Sequence, residues 1–172
     1  DWNGTGWTRN STINASLPDI GSASKPSVFQ MGSQWFLISG TNGGTFYGFD
    51  WNGTGWTRNS TINASLPVIG TFTGPSVFQM GSQWFLISGE TAGVFFGFVW
   101  NGTNWTQSTI NASLPDIGDY STPSVFQMGS QWFLIAGESA GGFFGFNFNN
   151  FDYLLYGVQN VSNKPPRFPF AG

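Results

Sequence analysis

Internal repetition constrains this chain more than any other feature. One segment, PSVFQMGSQWFLI, occurs three times without a single change, starting at Pro26, Pro75 and Pro123. A spacing of about 49 residues indicates an array in which one supersecondary unit stacks on the next. The sequence therefore divides into three repeats and a non-repeating tail, at residues 1–49, 50–98, 99–146 and 147–172. The tail is a candidate docking segment.

Each repeat has the pattern of a four-stranded antiparallel meander. Short apolar and aromatic runs are separated by Met-Gly-Ser and by Gly-containing loops, and Asn-Gly between aromatic runs is a strong hairpin signal. We expect strands at residues 26–31, 34–40, 44–51 and 55–62, with equivalents in the later units. No helical period of apolar residues occurs in residues 1–146, so no helix is expected there.

The strands differ in how they should be covered. QWFLI and VFFGFVW are apolar at consecutive positions, so both faces of these strands are expected to be buried. TRNSTI is polar along its length, as an outer edge strand is. Small sheets that pack face to face around an axis are typical of propeller blades. The predicted fold is all-β, with three tandem four-stranded antiparallel blades of β-propeller type.

The segment PSVFQMGSQWFLISGETAGVFFGF resembles the FG-GAP/VCBS repeats of integrin-like β-propellers. Repeats of that family carry an acidic calcium loop, Asp-x-Asp-x-Asp-Gly, between their first two strands. The corresponding stretches of this chain contain no carboxylate: Gln30–Gln34, Gln79–Gln83 and Gln127–Gln131. Because calcium requires several hard oxygen ligands, usually carboxylates, the resemblance implies the fold without its metal site. We expect no metal and no cofactor.

Three blades are too few to close a ring, since propellers have about four to eight. The pattern makes residues 1–13 an outer strand without the three strands that should precede it, and it leaves residues 123–146 without a fourth strand. We therefore expect an N-terminal strand, from another subunit, to complete the last blade. The partner is then another copy of the chain, in a head-to-tail contact that forms a ring or an open filament. The tail either adds to this docking or covers its own sheet edge.

Glycosylation sequons are frequent in the repeats. Asn-x-Ser/Thr occurs at Asn3, Asn10, Asn14, Asn52, Asn59, Asn63, Asn101, Asn104, Asn111 and Asn160. The repeated positions lie in the hairpin turn, on the polar outer strand and in the loop after it, where a glycan would project into solvent. The alternative is that Asn, Ser, Thr and Gly are simply good turn residues. We interpret the sequons as sites of covalent glycans, which predicts an extracellular or cell-surface location.

The composition removes most catalytic and binding chemistry. The chain has no Cys and no His, which excludes a disulfide framework, a thiolate nucleophile and an imidazole base. Its few carboxylates, such as Glu90 and Asp116, do not recur in all three repeats. No catalytic residue is assigned, and an enzyme is not expected. Five scattered Lys and Arg residues cannot form a nucleic-acid-binding patch, and no apolar run is long enough for a membrane span.

Tryptophans raise the possibility of sugar binding. Three lie inside apolar strands and are expected in the core: Trp35, Trp84 and Trp132. Three others follow a tight turn and are the candidate sugar-binding residues: Trp7, Trp56 and Trp105. The alternative is that each of these faces another tryptophan across the hairpin, since such an aromatic pair stabilises a hairpin without any ligand.

The leading functional hypothesis is an extracellular, N-glycosylated structural repeat protein. In this hypothesis the chain self-assembles head-to-tail into a filament, coat or surface appendage. The alternative is a multivalent carbohydrate-binding, lectin-like propeller formed by oligomerisation. The loops that differ most among the repeats, such as GSASK, GTFTG and GDYST, fall at one end of the predicted blade. Equivalent lectin sites would be expected to keep such loops alike, which favours the structural role.

Overall fold

The structure is a computed structural model that describes Asp1 and residues 4–148. The first elements in chain order are α1 (Ser11–Ser16), β1 (Lys25–Met31), β2 (Gln34–Gly40), β3 (Phe46–Trp51), β4 (Trp56–Arg58) and α2 (Ser60–Ser65). They are followed by β5 (Gly74–Met80), β6 (Gln83–Gly89), β7 (Phe95–Trp100), β8 (Trp105–Ser108), β9 (Thr122–Met128), β10 (Gln131–Gly137) and β11 (Phe143–Phe148). Strands account for 47% of the described residues and helices for 8%, which confirms the all-β class. In the described part of the chain, neither helix has the length and apolar character that a membrane-spanning helix needs.

The described chain forms three antiparallel sheets whose strands follow chain order, and the fourth strand of the first and second sheets comes from the next repeat. The sheets are β1–β2–β3–β4, β5–β6–β7–β8 and the three-stranded β9–β10–β11. The register repeats, with cross-strand pairs Phe29–Phe36, Phe78–Phe85 and Phe126–Phe133. A two-residue turn with Gly32 at φ 62° joins β1 to β2, in a conformation that glycine adopts without strain. The predicted blade-like meanders are therefore confirmed.

The outer segment of the repeat departs from the prediction. The sequence predicts a strand over residues 55–62, whereas β4 ends at Arg58 and α2 begins at Ser60. Asn59 ends the strand because its Oδ1 accepts the backbone N–H of Ile62 at 2.8 Å, which caps a helix instead of extending a ladder. Asn10 caps α1 in the same way. The predicted strand through residue 62 and the predicted lack of helix in residues 1–146 are wrong.

A second contact holds each capping asparagine. Asn59 Nδ2 donates to both carboxylate oxygens of Asp50, at 2.8 and 3.0 Å, and Asn10 makes the same bonds to Asp1. The third repeat lacks both members of the pair, because the asparagine is deleted and Val99 replaces the aspartate. A turn stands there instead of a helix. The capping asparagine and its aspartate therefore occur and disappear together.

Successive sheets pack face to face. β1 contacts β5, and β5 contacts β9, so the first strands of the sheets lie side by side, as the innermost strands of propeller blades do. The core between the first and second sheets contains Phe29, Ile38, Phe46, Ile62, Leu66, Leu86, Phe98 and Trp105. The core between the second and third contains Phe78, Phe85, Ile87, Phe95, Ile117, Leu134 and Ala136. Most buried apolar side chains of the described residues thus belong to interfaces between sheets.

Helix α2 lies on the first sheet where a glycine leaves room for it. A Cβ added at Gly48 would lie 2.4 Å from Cγ2 of Ile62. The equivalent Gly97 has Cγ2 of Ile110 at 2.5 Å, whereas a Cβ at the equivalent Gly145 would meet no atom of the described residues within 4 Å. The same position is therefore crowded in two sheets and open in the third.

Gly97→Ala should lower the free energy of unfolding by about 1–3 kcal/mol, because the added methyl group would collide with Ile110. The matched variant Gly145→Ala should leave it unchanged or slightly higher, since Ala restricts the unfolded chain more than Gly does. Urea unfolding followed by tryptophan fluorescence measures both. Equal losses in the two variants would contradict the difference in packing between the sheets.

Candidate functional site

Each sheet has two faces with different neighbours. We call the face that packs on the following repeat the trailing face, which carries Phe29, Ile38 and Phe46 in the first sheet. The face that receives the preceding repeat is the leading face, which carries Leu86 and Phe98 in the second sheet. A trailing face meets a leading face twice within the chain. Among the described residues, no further sheet packs on the leading face of the first sheet or on the trailing face of the third, and together these two faces form the candidate functional site.

The trailing face of the third sheet is an exposed apolar surface. Phe143 is 81% exposed, whereas its equivalent Phe95 is 3% exposed within the second interface. Ile135 is 43% exposed, whereas its equivalent Ile87 is fully buried. Grouped, exposed apolar side chains mark an interaction surface. This surface carries the same residues as two faces that are buried inside the chain.

The leading face of the first sheet is open at β1 and at the start of β2, whereas Leu37 and Phe49 on the same face are 6% and 2% exposed. Val28 is 52% exposed and Trp35 is 44% exposed. In the other sheets the equivalent tryptophan packs on a phenylalanine of the preceding sheet: Phe29–Trp84 and Phe78–Trp132 both have ring centroids 5.5 Å apart at 44°. The expectation that Trp35 lies in the core therefore fails, because its aromatic partner would have to come from a preceding sheet.

Backbone hydrogen bonds join the loops of successive sheets at one end of the array. Lead-in loops precede the first strand of each sheet and comprise residues 18–24, 67–73 and 116–121. Middle loops join the second and third strands and comprise residues 41–45, 90–94 and 138–142. The N–H of Thr73 donates to the carbonyl of Thr41 at 3.2 Å, and that of Ser121 donates to Glu90 at 3.2 Å. The second and third lead-in loops therefore dock on the middle loop of the preceding sheet.

The first lead-in loop already has the conformation of the docked ones. Three non-glycine residues have a positive φ among the described residues, and they are equivalent: Ala23 (57°), Phe72 (58°) and Tyr120 (63°). This left-handed conformation is uncommon and costs free energy. The N–H groups of Phe72 and Tyr120 bond to the preceding middle loop at 3.1 and 3.0 Å. Ala23 has the same conformation without a preceding sheet among the described residues, and the bond from the N–H of Asn42 to the carbonyl of Ser22 at 3.0 Å ties this loop to its own sheet.

The innermost strands are joined by a further hydrogen bond that recurs. Two such bonds are present, from Val77 N–H to Ser27 Oγ at 3.1 Å and from Val125 N–H to Ser76 Oγ at 3.0 Å. The next members of this series are Ser124, on the trailing face of the third sheet, and Val28, on the leading face of the first. The apolar, aromatic and polar contacts of the internal interfaces thus all have counterparts at the two ends.

The sequon asparagines fall into two groups. Four are half-buried and use their side-chain amide within the fold: Asn10, Asn59, Asn63 and Asn111. Four are exposed: Asn14, Asn52, Asn101 and Asn104. Two lie outside the described residues: Asn3 and Asn160. The sequence alone does not separate these groups, because all of them share the Asn-x-Ser/Thr pattern.

The candidate sugar-binding tryptophans have three different environments. Trp105 is 2% exposed and belongs to the first core, so its ring face is closed to a ligand in this structure. Trp56 is half-buried and packs on Trp51 with 5.4 Å between ring centroids. Trp100 and Trp105 form the equivalent pair at 5.6 Å. Trp7 is largely exposed. The alternative interpretation, in which each tryptophan packs on another across the hairpin, therefore applies to Trp56 and Trp105.

A groove lies between α2 and β8. Its volume is about 640 Å³, and it is lined by Ser60, Thr61, Ala64, Ser65, Asn104, Trp105 and Thr106. The indole Nε1 of Trp105 is buried without a hydrogen-bond partner, the one such side-chain atom in the described part of the chain. Because that indole ring packs into the core, the groove offers hydroxyl groups but no aromatic surface for stacking.

The acidic side chains of the middle loops stabilise the loops themselves. Glu138 accepts the N–H groups of Ala140 and Gly142, each at 2.6 Å, and Glu90 accepts that of Ala92 at 3.0 Å. Such local side-chain to backbone bonds are typical of turns. Across the described ranges, no three His, Cys, Asp or Glu side chains lie close enough together to hold a metal ion.

No protein-family model matches the chain, and neither does any curated protein. The resemblance to FG-GAP/VCBS repeats therefore stays a prediction. Completion of the last blade by an N-terminal strand also stays a prediction: β11 pairs with β10, and Asp1 exchanges backbone hydrogen bonds with Thr8 at 2.6 and 2.7 Å. The tail, as a docking segment, lies outside the described residues from position 149 onward.

Sequence reasoning did not single out the side chains of the two end faces. Phe95 and Phe143 stand in nearly the same local sequence, so residue type cannot distinguish the buried position from the exposed one. The usable signal is position in the array, because no further sheet of the described residues lies next to the first leading face or the last trailing face.

Phe95→Ala should lower the free energy of unfolding by about 3–5 kcal/mol, the usual cost of truncating a buried phenylalanine. Phe143→Ala should change it by no more than about 0.5 kcal/mol, as at exposed positions generally. The two residues are equivalent, so each variant controls for the other. Denaturant unfolding at low protein concentration provides the measurement, and a large loss for Phe143→Ala under dilution would show that this face is not open.

Proposed function

We propose that the protein is an extracellular, N-glycosylated structural repeat protein whose copies associate head-to-tail into a filament, coat or surface appendage. One observation carries the proposal: the described residues present both halves of the internal interface at opposite ends, with Phe143 exposed on the trailing face of the third sheet and Val28 and Trp35 exposed on the leading face of the first. The trailing face of the third sheet in one copy fits the leading face of the first sheet in the next. The interface between copies then continues the two interfaces within each chain.

The internal interfaces specify the contacts expected between copies. The ring of Phe126 would pack on Trp35 of the next copy, as Phe29 packs on Trp84 at 5.5 Å. The N–H of Ser24 would donate to the carbonyl of Glu138, as Thr73 donates to Thr41 at 3.2 Å. The polar bonds fix the orientation of the two copies, and the apolar contacts supply most of the free energy.

The free energy of association depends on covering the whole face. Burial of a large apolar side chain such as Phe143 or Ile135 contributes about 1.5–3 kcal/mol. Association costs about 4–15 kcal/mol in lost translational and rotational freedom. Several side chains must therefore be buried together. The preformed conformation at Ala23 reduces the ordering cost, because the loop need not rearrange on docking.

The proposed contact joins two different surfaces, so it is heterologous. Such contacts form a closed ring when the rotation between copies closes, and an open filament when it does not. Either product has the repeat as its building block. Terminal repeats of arrays that remain monomeric usually carry a polar outer face, and the trailing face of the third sheet carries Phe143 and Ile135 instead.

The unglycosylated full chain should form oligomers that grow with concentration in sedimentation velocity. Phe143→Asp and Trp35→Asp each place a charge on one end face, and each should weaken association at least about tenfold in Kd, equivalent to about 1.4 kcal/mol. Thr106→Asp, at an exposed position on the outer strand β8, controls for the added charge and should assemble like the parent chain.

Mixing the two end-face variants tests the head-to-tail geometry. Each variant retains one intact face, and the two intact faces are complementary, so an equimolar mixture should form a one-to-one dimer and stop there. A mixture that stays monomeric would overturn the proposal, as would a parent chain that is monomeric at all concentrations. Assembly that appears only after deletion of residues 149–172 would show that the tail covers the trailing face.

A further inference from the structure

We infer that the fold admits N-linked glycans at the exposed hairpin turns, on Asn52 and Asn101, and excludes them from the asparagines that cap or brace the repeats. This inference rests on the extracellular part of the proposed function and does not depend on self-assembly. It identifies which of the chemically equivalent sequons can carry a glycan in the folded protein.

The turn asparagines use only their side-chain oxygen. Asn52 Oδ1 accepts the backbone N–H groups of Thr54 and Gly55 at 3.0 and 2.9 Å, and the hydroxyl of Thr54 at 3.0 Å. Asn101 Oδ1 accepts the N–H of Thr103 at 2.9 Å. No described residue accepts a hydrogen bond from Nδ2 of either asparagine, and both side chains are exposed. The nitrogen that would bear a glycan is therefore not held by a hydrogen bond to any described residue.

The chemistry needs that nitrogen. N-glycosylation joins Nδ2 of the asparagine to the anomeric carbon of a sugar carried by a lipid-linked glycosyl diphosphate donor. The bond between the anomeric carbon and the diphosphate oxygen breaks, the diphosphate leaves with its electron pair, and one proton of Nδ2 passes to solvent. The product amide keeps one N–H and its oxygen. The turn bonds of Asn52 involve only that oxygen, so they survive the modification.

The capping asparagines use both ends of the side chain. Asn59 Nδ2 donates to both oxygens of Asp50 while its Oδ1 caps α2. A sugar on Nδ2 would remove one of these hydrogens and place a bulky ring beside the carboxylate. Loss of a helix cap costs about 1 kcal/mol, and the sugar ring would also separate α2 from the strand. A glycan at this position would therefore destabilise the folded state. Asn10 has the same arrangement with Asp1.

The bracing asparagine of the third repeat is closed to a glycan for a related reason. Asn111 Nδ2 donates to the carbonyl of Phe95 at 2.6 Å, and the side chain is half-buried. A Cβ at the neighbouring Gly97 would lie 2.6 Å from Asn111 Oδ1. Asn111 thus sits against the backbone of β7 with no room for a sugar. The exposed Asn14 and Asn104 are not restricted in this way.

The position of the two turns suits a glycan that leaves the end faces clear. Both turns join the third strand of a sheet to its outermost strand, β3 to β4 and β7 to β8. The end faces meet along the innermost strands, where β1 contacts β5 and β5 contacts β9. Glycans at the outer turns would therefore line the rim of an assembly, where they also shield the edge strands from aggregation.

Glycopeptide mapping of the chain secreted from a eukaryotic host, with a signal peptide added, tests the assignment. We expect glycan on Asn52 and Asn101 and bare asparagine at Asn59 and Asn111 in the folded, secreted fraction. Thr103→Ala removes one sequon but keeps the backbone N–H that bonds to Asn101, so the intact mass should fall by one glycan while thermal stability is retained. A change of Ser113, which completes the sequon of Asn111, to Ala should leave the glycan mass unchanged.

Two results would overturn the inference. One is a glycan on Asn59 or Asn111 in folded, secreted protein, and the other is bare Asn52 and Asn101 in protein that has passed through the secretory pathway. Neither bears on self-assembly, which is measured on unglycosylated protein from a bacterial cytoplasm. Failure of assembly with the predicted glycan pattern would remove the head-to-tail proposal alone.

Discussion

The packing of one sheet against the next is the interaction on which the rest of this structure depends. A single meander of three or four strands is apolar on both faces and has too little area to bury either of them alone. Packing of one sheet on the next buries these faces at two interfaces, in which Phe29 packs on Trp84 and Phe78 packs on Trp132. Both cores lie between sheets, so the stability of the array is a sum of contacts between neighbours.

An array held together in this way ends in unused contacts. Its first leading face and last trailing face have the same residues as the faces that are buried, and Phe143 and Trp35 show the resulting exposure. The left-handed Ala23 adds a backbone feature to the same end face. Hydrophobic, aromatic and hydrogen-bonding contacts all repeat in register, which supports the proposal that a second copy of the chain covers these faces.

Asparagine serves two physical purposes in these repeats. At the hairpin turn, the oxygen of Asn52 accepts backbone N–H groups, while no described residue accepts a hydrogen bond from its nitrogen. At the start of α2, Asn59 uses both oxygen and nitrogen, the latter on Asp50. The deletion of this capping residue in the third repeat coincides with Val99 at the aspartate position and with loss of the helix. The same Asn-x-Ser/Thr motif therefore occurs in two environments. A group attached to the side-chain nitrogen would break a native hydrogen bond at Asn59, whereas at Asn52 it would break none to a described residue.

The amino-acid sequence by itself determined the repeat boundaries, the all-β class and the order of strands within each sheet. These features depend on identical apolar runs and turn glycines, whose influence on the backbone extends over only a few residues. It could not show that STINAS forms a helix, since a polar edge strand and a short capped helix have similar composition and the cap at Asn59 is a matter of geometry. It also could not show that Phe95 is buried and Phe143 exposed. Only the tertiary structure decided that, because burial depends on whether another sheet lies against the residue, and the local sequence of the two positions is almost the same.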